Sequence, residues 1–410
     1  MSNSSLFNTA VMGMAAQSDW LAGISRNIAN SNTTGYKNQR TDFQTVLNGY
    51  QGGGNSPGGG VTTVTRDDVT LQGTLQSTGV STDLAIDGQG FFLVSDSSGQ
   101  TFLTRAGAFV QDAQGRLVNS AGYYLMGYGA NAGLGGNLSV ITVKQSGMFS
   151  SPTTSGSFAA NLPAGASAVP AANLPSTNSA GAQFSGKSSL TVYDNLGNAV
   201  VLDLYFANTG ANTWEMTAYN HADASPSGGF PYASGAVTTQ TLNFSATNGT
   251  IASPSAATFT VPGGGSMTLD LSKMTQLGAG YTPTGSVVDG YAATTVDGIS
   301  IGKDGTLSYQ LSNGQTVAAY TIPLGNVASP DNLTGGTGNV YSASANSGQI
   351  YIGAPGTGGF GSIKSDTLES STVDLASELS SMIIAQRSFT ANSQVFQVAS
   401  DIMQVLTNLK

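Results

Sequence analysis

The sequence predicts an α+β protein: mostly-β domains, nested one inside the other, with N- and C-terminal α-helices that pair as a coiled-coil-like unit. Three observations carry that prediction. Apolar residues recur every seven positions at both ends of the chain. The long middle changes to a two-residue period, punctuated by Asp-Gly and Asn-Gly turns. A charge-poor, Ala- and Pro-rich stretch at 150–185 then interrupts the β pattern, which resumes in its earlier style near Gly285. The expected layout is an N-terminal helix at 1–30 and a connecting segment at 31–72. A first β domain is built from 73–148 with 286–363, a second at 149–285 is inserted into it, and a C-terminal helix lies in 364–410.

The helices come first. Phe7, Met14, Leu21 and Ile28 form one step of seven; Ala10 and Ile24 lie three positions on, with polar Gln17 between them. That is the a/d seam of a heptad. At the other end Leu375, Met382, Phe389, Phe396 and Met403 repeat the step, with Leu379 nearby. The offset positions are mixed: Ala385, Ala399 and Leu406 are apolar, Glu378 and Asn392 are not. A second stripe, Val395, Val398, Ile402, Val405 and Leu409, widens the apolar face and predicts burial on more than one side. Asp374 places a negative charge at the expected helix start. Residues 1–30 carry only Asp19 and Arg26 as charges, whereas a free surface helix normally carries Lys–Glu pairs. Such a face fits burial against neighbouring molecules; an intramolecular helical hairpin would account for the seams alone. The candidate subunit-assembly residues are Phe7, Met14, Leu21, Ile24, Ile28, Leu375, Leu379, Met382, Phe389, Phe396, Met403 and Leu406.

The first helix should stop near Asn30, because 30–35 is dense in turn formers and ends in glycine. Glycine triplets at 52–54 and 58–60 bracket Pro57 and read as a linker. Leu84 and Ile86, then Phe91 and Leu93, flank Asp87-Gly88-Gln89-Gly90 and predict a hairpin. Strands are expected at 101–105, 108–111, 116–119 and 123–128, with a tight turn at Asp112-Ala113-Gln114-Gly115. In the insert, 190–193 and 200–206 flank Asp194-Asn195-Leu196-Gly197-Asn198, with 214–219 as the next strand. Short strands follow at 241–244, 258–261 and 267–271. The returning first domain holds 296–301, 306–311 and 316–322, the last two joined through Asn313-Gly314.

Composition excludes several kinds of chemistry. Charged residues make up 9% of the chain, against about 25% in ordinary soluble proteins. The net charge of −9 repels phosphate backbones, which argues against nucleic acid as a partner. Cys is absent and His221 is the one histidine, so thiolate and multi-His metal sites are excluded and no metal or other cofactor is expected. No apolar run reaches the ~18 residues of a membrane span, so no membrane insertion is expected. Neither a charged n-region nor a clean apolar h-region is visible at the N-terminus. A secreted composition of this kind points to a specialised export route or a mature chain. Gly88-Gln89-Gly90 lacks the third glycine of a dinucleotide fingerprint, and the Asp-Gly turns lack EF-hand spacing. Asp203, Glu215, Asp270 and Asp297 are the acids near apolar strands from which a carboxylate pair could be drawn. None has a diagnostic context, and no catalytic residue is assigned.

Five blocks carry a resemblance. Leu21-Ala22-Gly23-Ile24-Ser25-Arg26-Asn27-Ile28-Ala29-Asn30, continuing Asn32-Thr33-Thr34-Gly35-Tyr36-Lys37, resembles the signature of bacterial flagellar rod and hook axial proteins. Ser81-Thr82-Asp83-Leu84-Ala85-Ile86-Asp87-Gly88-Gln89-Gly90-Phe91-Phe92 and Phe102-Leu103-Thr104-Arg105-Ala106-Gly107-Ala108-Phe109 are similar to that family's next two blocks. Leu368-Glu369-Ser370-Ser371-Thr372-Val373-Asp374-Leu375 and Met382-Ile383-Ile384-Ala385-Gln386-Arg387-Ser388-Phe389 resemble its tail, with Phe389 where the family often has Tyr. The insert and its 192–198 hairpin resemble the hook branch, since rod members are shorter. The resemblance implies a structural, non-enzymatic subunit of a curved tube outside the cell, a universal joint passing torque from rod to filament. Its partners would be copies of itself, the distal rod, the hook cap and the hook–filament junction proteins, with flagellar type III export and no cleavable signal peptide. The alternatives are a distal rod subunit, a secreted β-rich glycan-processing enzyme and an adhesive surface module.

Overall fold

The computed structural model describes residues 3–47, 59–130, 132–133, 135–143 and 147–408. The chain forms two compact units: Met1–Gln145 with Asp297–Lys410, and Ser146–Val296.

In the first unit, helix α1 (Asn3–Ala29) and helix α2 (Leu375–Asn408) lie antiparallel. Phe7 meets Phe396 with ring centroids 4.2 Å apart, and near the other end Asn27 bonds Glu378 at 3.2 Å. Asp374 caps α2 as its charge suggested, its carboxylate accepting from the Ala376 N–H at 3.0 Å. The turn after α1 closes at Gly35, whose φ of +68° favours glycine; a Cβ there would lie 2.6 Å from the Ala106 nitrogen.

The connecting segment departs from the expected linker. Gln39–Leu47 and Gly59–Asp67 pair antiparallel, Gln39 opposite Asp67, in a two-stranded ribbon laid on α1. Trp20 meets Phe43 edge-on at 5.7 Å, and Thr63 donates to Asp19 at 2.6 Å. The β-branched run Val61-Thr62-Thr63-Val64-Thr65 supplies the β preference that the glycine content obscured. The glycine triplet at 52–54 lies outside the described residues.

The rest of this unit is β. Phe91–Ser95 is buried throughout and pairs with Thr101–Thr104, Tyr124–Gly129 and Leu324–Asn326. The hairpin expected at Asp87–Gly90 does not form. Leu84–Asp87 pairs instead with Ser362–Ser365, Ile86 opposite Ile363. Gly88 and Gly90, at φ 111° and 118°, turn the chain from one sheet to another. The Asp112–Gly115 and Asn313-Gly314 turns do join paired strands, Gln111 opposite Leu117 and Gln310 opposite Thr316.

The second unit packs two sheets on one apolar core. One runs Gly186–Tyr193, Ala199–Gly210, Thr213–Asn220, Thr238–Phe244 and Ile251–Ser253 in order. The hairpin at Asp194 forms as expected; its carboxylate accepts from the Leu196 and Asn198 N–H groups at 2.8 Å each. The other sheet centres on Ser155–Pro163, inside the charge-poor stretch. Phe158, Ala160 and Leu162 alternate inward there, a pattern hidden by small residues, and Phe158 stacks on Phe206 of the facing sheet at 5.7 Å. Thr282–Val288 pairs with this same strand, so the unit runs on to Val296 rather than ending at 285.

One carboxylate organises the outer face of the first of these sheets. Asp203, fully buried, accepts from Ser189 (2.8 Å), His221 (2.9 Å), Tyr232 (2.7 Å) and Lys187 (3.1 Å). Burial alone would raise its carboxyl, but the hydrogen bonds from His221, Tyr232, Ser189 and Lys187 outweigh burial and bring it to about 2. That lies below the ~4 of an unfolded Asp. Its stabilisation is therefore complete above that value and is lost as pH falls towards 2. Asp203→Ala should destabilise this unit by about 2–3 kcal/mol, because charged hydrogen bonds are lost and Lys187 is left without its anion. The chain's two tryptophans, Trp20 and Trp214, fall one in each unit. Urea unfolding followed by Trp214 fluorescence in a Trp20→Phe background measures the effect, and the loss between pH 4 and 2 should disappear in Asp203→Asn.

Candidate assembly surface

The helix pair is built around small residues. In α1, Ala10, Ala16 and Ile24 are buried, while Phe7, Met14, Leu21 and Ile28 are half-buried. In α2 the buried positions are Glu378, Ala385 and Ala399, with Asn392 half-buried between them. This is the offset set of the sequence pattern, still spaced by seven. A Cβ on Gly13 would lie 2.9 Å from the Asn392 side chain, so the two axes approach closely there. Close axes push the large side chains to the flanks. Met382 and Phe396 are half-buried, and Leu375, Leu379, Phe389 and Met403 are exposed. Leu406 has its backbone in α2, but its side chain lies outside the described residues.

One buried polar group sets the pair's register at the turn end. Asn27 donates to Glu378, to Asn38 at 2.5 Å and to the Gln39 carbonyl at 2.9 Å. Burial pushes the Glu378 carboxyl above the usual carboxylate range, against the hydrogen bonds from Asn27 and Asn38.

The second stripe of α2 is left bare. Val395, Val398, Ile402 and Val405 are 47, 58, 43 and 58% exposed. Ile384, at helical spacing from them, is 55% exposed. Leu409 lies outside the described residues. In the single chain, no described residue buries this face. Covering the exposed half of four such side chains would contribute on the order of 3–6 kcal/mol per contact.

Sequence reasoning missed the cluster at the foot of the pair. Lys37, Arg105 and Glu369 are drawn from three of the blocks quoted above, and all three are buried. Glu369 Oε1 accepts from Lys37 Nζ at 2.5 Å and from the Gly73 N–H at 2.9 Å; Oε2 accepts from Arg105 Nη1 at 3.2 Å. Burial lowers the pKa of Lys37 and of Arg105 from their ordinary values, and Glu369 opposes the shift in each. The available signal was scarcity: Arg105 is the only charge in its block.

The acids weighed for catalysis have structural partners. Ser189 bonds Asp203, which also holds His221, so the hydroxyl is not aligned for attack through the imidazole. Glu215 accepts from Ser176 and Thr217, Asp270 from the Ser272 N–H, and Asp297 from Ser312. A polar cleft of about 620 Å³ in the first unit includes Asp67 and Asp331. Asp67 accepts from Gln39 at 3.0 Å, and Asp331 from the Thr70 N–H at 3.1 Å.

Comparison with known proteins agrees with this anatomy. Residues 7–37 match the flagella basal body rod protein model, and 85–151 the flagellar hook protein FlgE/F/G D1 domain. Residues 161–291 match the flagellar basal body protein FlaE D2 domain, and 364–409 the C-terminal model of the basal body rod FlgEFG proteins. The flagellar hook protein FlgE of Brucella suis is 41% identical over 419 residues, covering 100% of both chains. That of Escherichia coli is 33% identical over 98% of this chain and 100% of its own. The crystal structure of Helicobacter pylori flagellar hook protein FlgE2 shares the fold, with a TM-score of 0.54 and 14% identity over 72% of this chain and 100% of that one. With matches to family models at both ends and in both β units, and 41% identity along its whole length, the chain belongs to the flagellar hook protein FlgE family and is a structural subunit of the hook.

Proposed function

We propose that copies of this chain polymerise into the flexible curved tube of the hook, outside the cell, where it acts as a universal joint passing torque from rod to filament. The observation that carries this reading is the bare apolar stripe of α2 at 395–405. A second copy covers it. One patch meeting a different patch on an identical neighbour gives a contact that does not close, and repetition of that contact builds a helical polymer. The helix pairs form the inner layer and the β units lie outside. The tube's ends meet the distal rod, the hook cap and the hook–filament junction proteins. The role is mechanical rather than catalytic: Asp203, Glu215, Asp270 and Asp297 are held by structural hydrogen bonds.

Low surface charge suits bending. On the inside of a curve subunits crowd, and on the outside they separate. Contacts made of Ser, Thr, Asn and Gly exchange partners at little cost, whereas fixed ion pairs would favour one spacing. The second unit has its own core and its own two sheets, so its contacts can break and reform while the helical layer holds.

Ile384→Asp and Val398→Asp should leave the monomer's thermal unfolding unchanged, because both side chains already face solvent. Each should abolish sedimentable polymer, since burying an unpaired carboxylate costs several kcal/mol. Normal tubes from either variant would mean that the stripe stays exposed in the assembly.

Replacing the second unit with a short Gly-Ser linker should preserve polymerisation and change curvature. Hooks isolated from cells lacking the native gene and imaged by electron microscopy give the readout. Straight or stiffened hooks are expected, whereas stable export of the variant without any hook would assign the unit to assembly itself.

A further inference from the structure

We infer that the Glu369 carboxylate is a clasp that sets the orientation of the terminal helix pair, with its ribbon, on the β part of the first unit. Three stretches of chain cross between these parts, at 34–38, 67–75 and 366–374, and all three converge on this side chain. Lys37, on the stretch leaving α1, bonds Glu369 and the Leu71 carbonyl, each at 2.5 Å. Gly73, on the stretch leaving the ribbon, donates its N–H to the same carboxylate at 2.9 Å. Glu369 itself lies on the stretch entering α2, in a strand paired with Leu75–Ser77. Backbone bonds tie the crossing stretches to one another: Gly35 N–H to the Glu369 carbonyl at 2.8 Å, and Thr372 N–H to the Tyr36 carbonyl at 3.1 Å. Arg105 anchors the cluster on the β side, donating to the Gly88 carbonyl at 2.8 Å, its guanidinium carbon 5.3 Å from the centre of the Phe91 ring.

Other side-chain bonds on this boundary are exposed or join neutral groups: Thr70 donates its N–H and its hydroxyl to Asp331 at 3.1 and 3.3 Å, and Gln72 donates to the Ile86 carbonyl at 2.9 Å. Asn339 donates to the Thr34 carbonyl at 3.1 Å, and beside that bond opens the polar cleft whose lining includes Arg26, Asp67 and Asp331. Apolar contact is non-directional, whereas charge-assisted hydrogen bonds fix geometry. A buried ion cluster is weak evidence for net stability, and an apolar replacement of similar volume is often neutral. One acid here serves two buried cations from opposite sides of the boundary, an arrangement suited to setting orientation. The consequence for the tube rests on the assembly reading above: a fixed angle at this boundary directs bending to the contacts between subunits.

The chain contains no cysteine, so two introduced thiols can be spin-labelled cleanly. Ala22→Cys on α1 and Val110→Cys on the β part both place labels at exposed positions. Electron–electron distance measurement on the full-length monomer should give one narrow peak in the parent. Glu369→Gln, which keeps the volume and removes the charge, should broaden it. The combined Lys37→Met, Arg105→Leu and Glu369→Leu variant should unfold near the parent temperature yet lose the narrow peak. Retention of that peak by the combined variant overturns the inference, because packing alone would then set the angle. Failure of the combined variant to fold also overturns it, because the cluster would then be required for folding. Both readouts come from the monomer and are independent of whether tubes form.

Discussion

Helix α2 has apolar side chains on two sides and, among the described residues of its own chain, one helix to pack against. That mismatch governs the rest of the molecule. Ala385 and Ala399 face α1 closely, and Gly13 lets Asn392 approach. The larger Val and Ile side chains at 395–405 are turned away, to a side the single chain leaves open. An apolar face of this kind on a 34-residue helix, in a protein with so few charges to keep it soluble, is a surface awaiting a neighbour. In the proposed tube that neighbour is another copy.

The charges that the chain does have are placed with economy. Lys37, Arg105 and Glu369 lie inside, as does Asp203, where each makes several directed bonds. Exposed pairs such as Arg40–Asp42 and Lys364–Asp87 join residues of one chain. In the proposed tube, rigid joints within each unit and weak contacts between subunits answer the two demands of rotating while bent. The first comes from buried ion clusters and apolar sheets, the second from a composition in which charged residues are 9% of the chain.

Much of this was legible from local patterns. The heptads found both helices and their pairing, and Asn313-Gly314 and Asp194–Asn198 located two hairpins, because turn chemistry acts over a few residues. Misreadings came where partners were distant or small. Leu84–Asp87 looks like half of a hairpin until Ile363 arrives from the far end of the chain. Ser155–Pro163 reads as a break in the β pattern because Ala160 and its neighbours carry little hydrophobic signal, although Phe158 and Leu162 are core residues. The ribbon on α1 was masked by glycine. The heptad step also selected Leu375 and Met403 over the small residues that the helix pair buries, since bulk makes a sequence signal and close approach does not. Lys37, Arg105 and Glu369 could not be joined from sequence, because nothing local links three charges so far apart in the chain.

On the proposed assembly, the face of α2 formed by Val395, Val398, Ile402 and Val405 is exposed in the monomer and buried between copies in the tube. Hydrogen exchange of the same protein as monomer and as sedimented polymer addresses it directly. Amides along 395–405 should exchange rapidly in the monomer, where the helix is covered on one side only, and become strongly protected in the polymer. Equal exchange in the two states along this stretch, with protection gained only in the β units, would contradict the account.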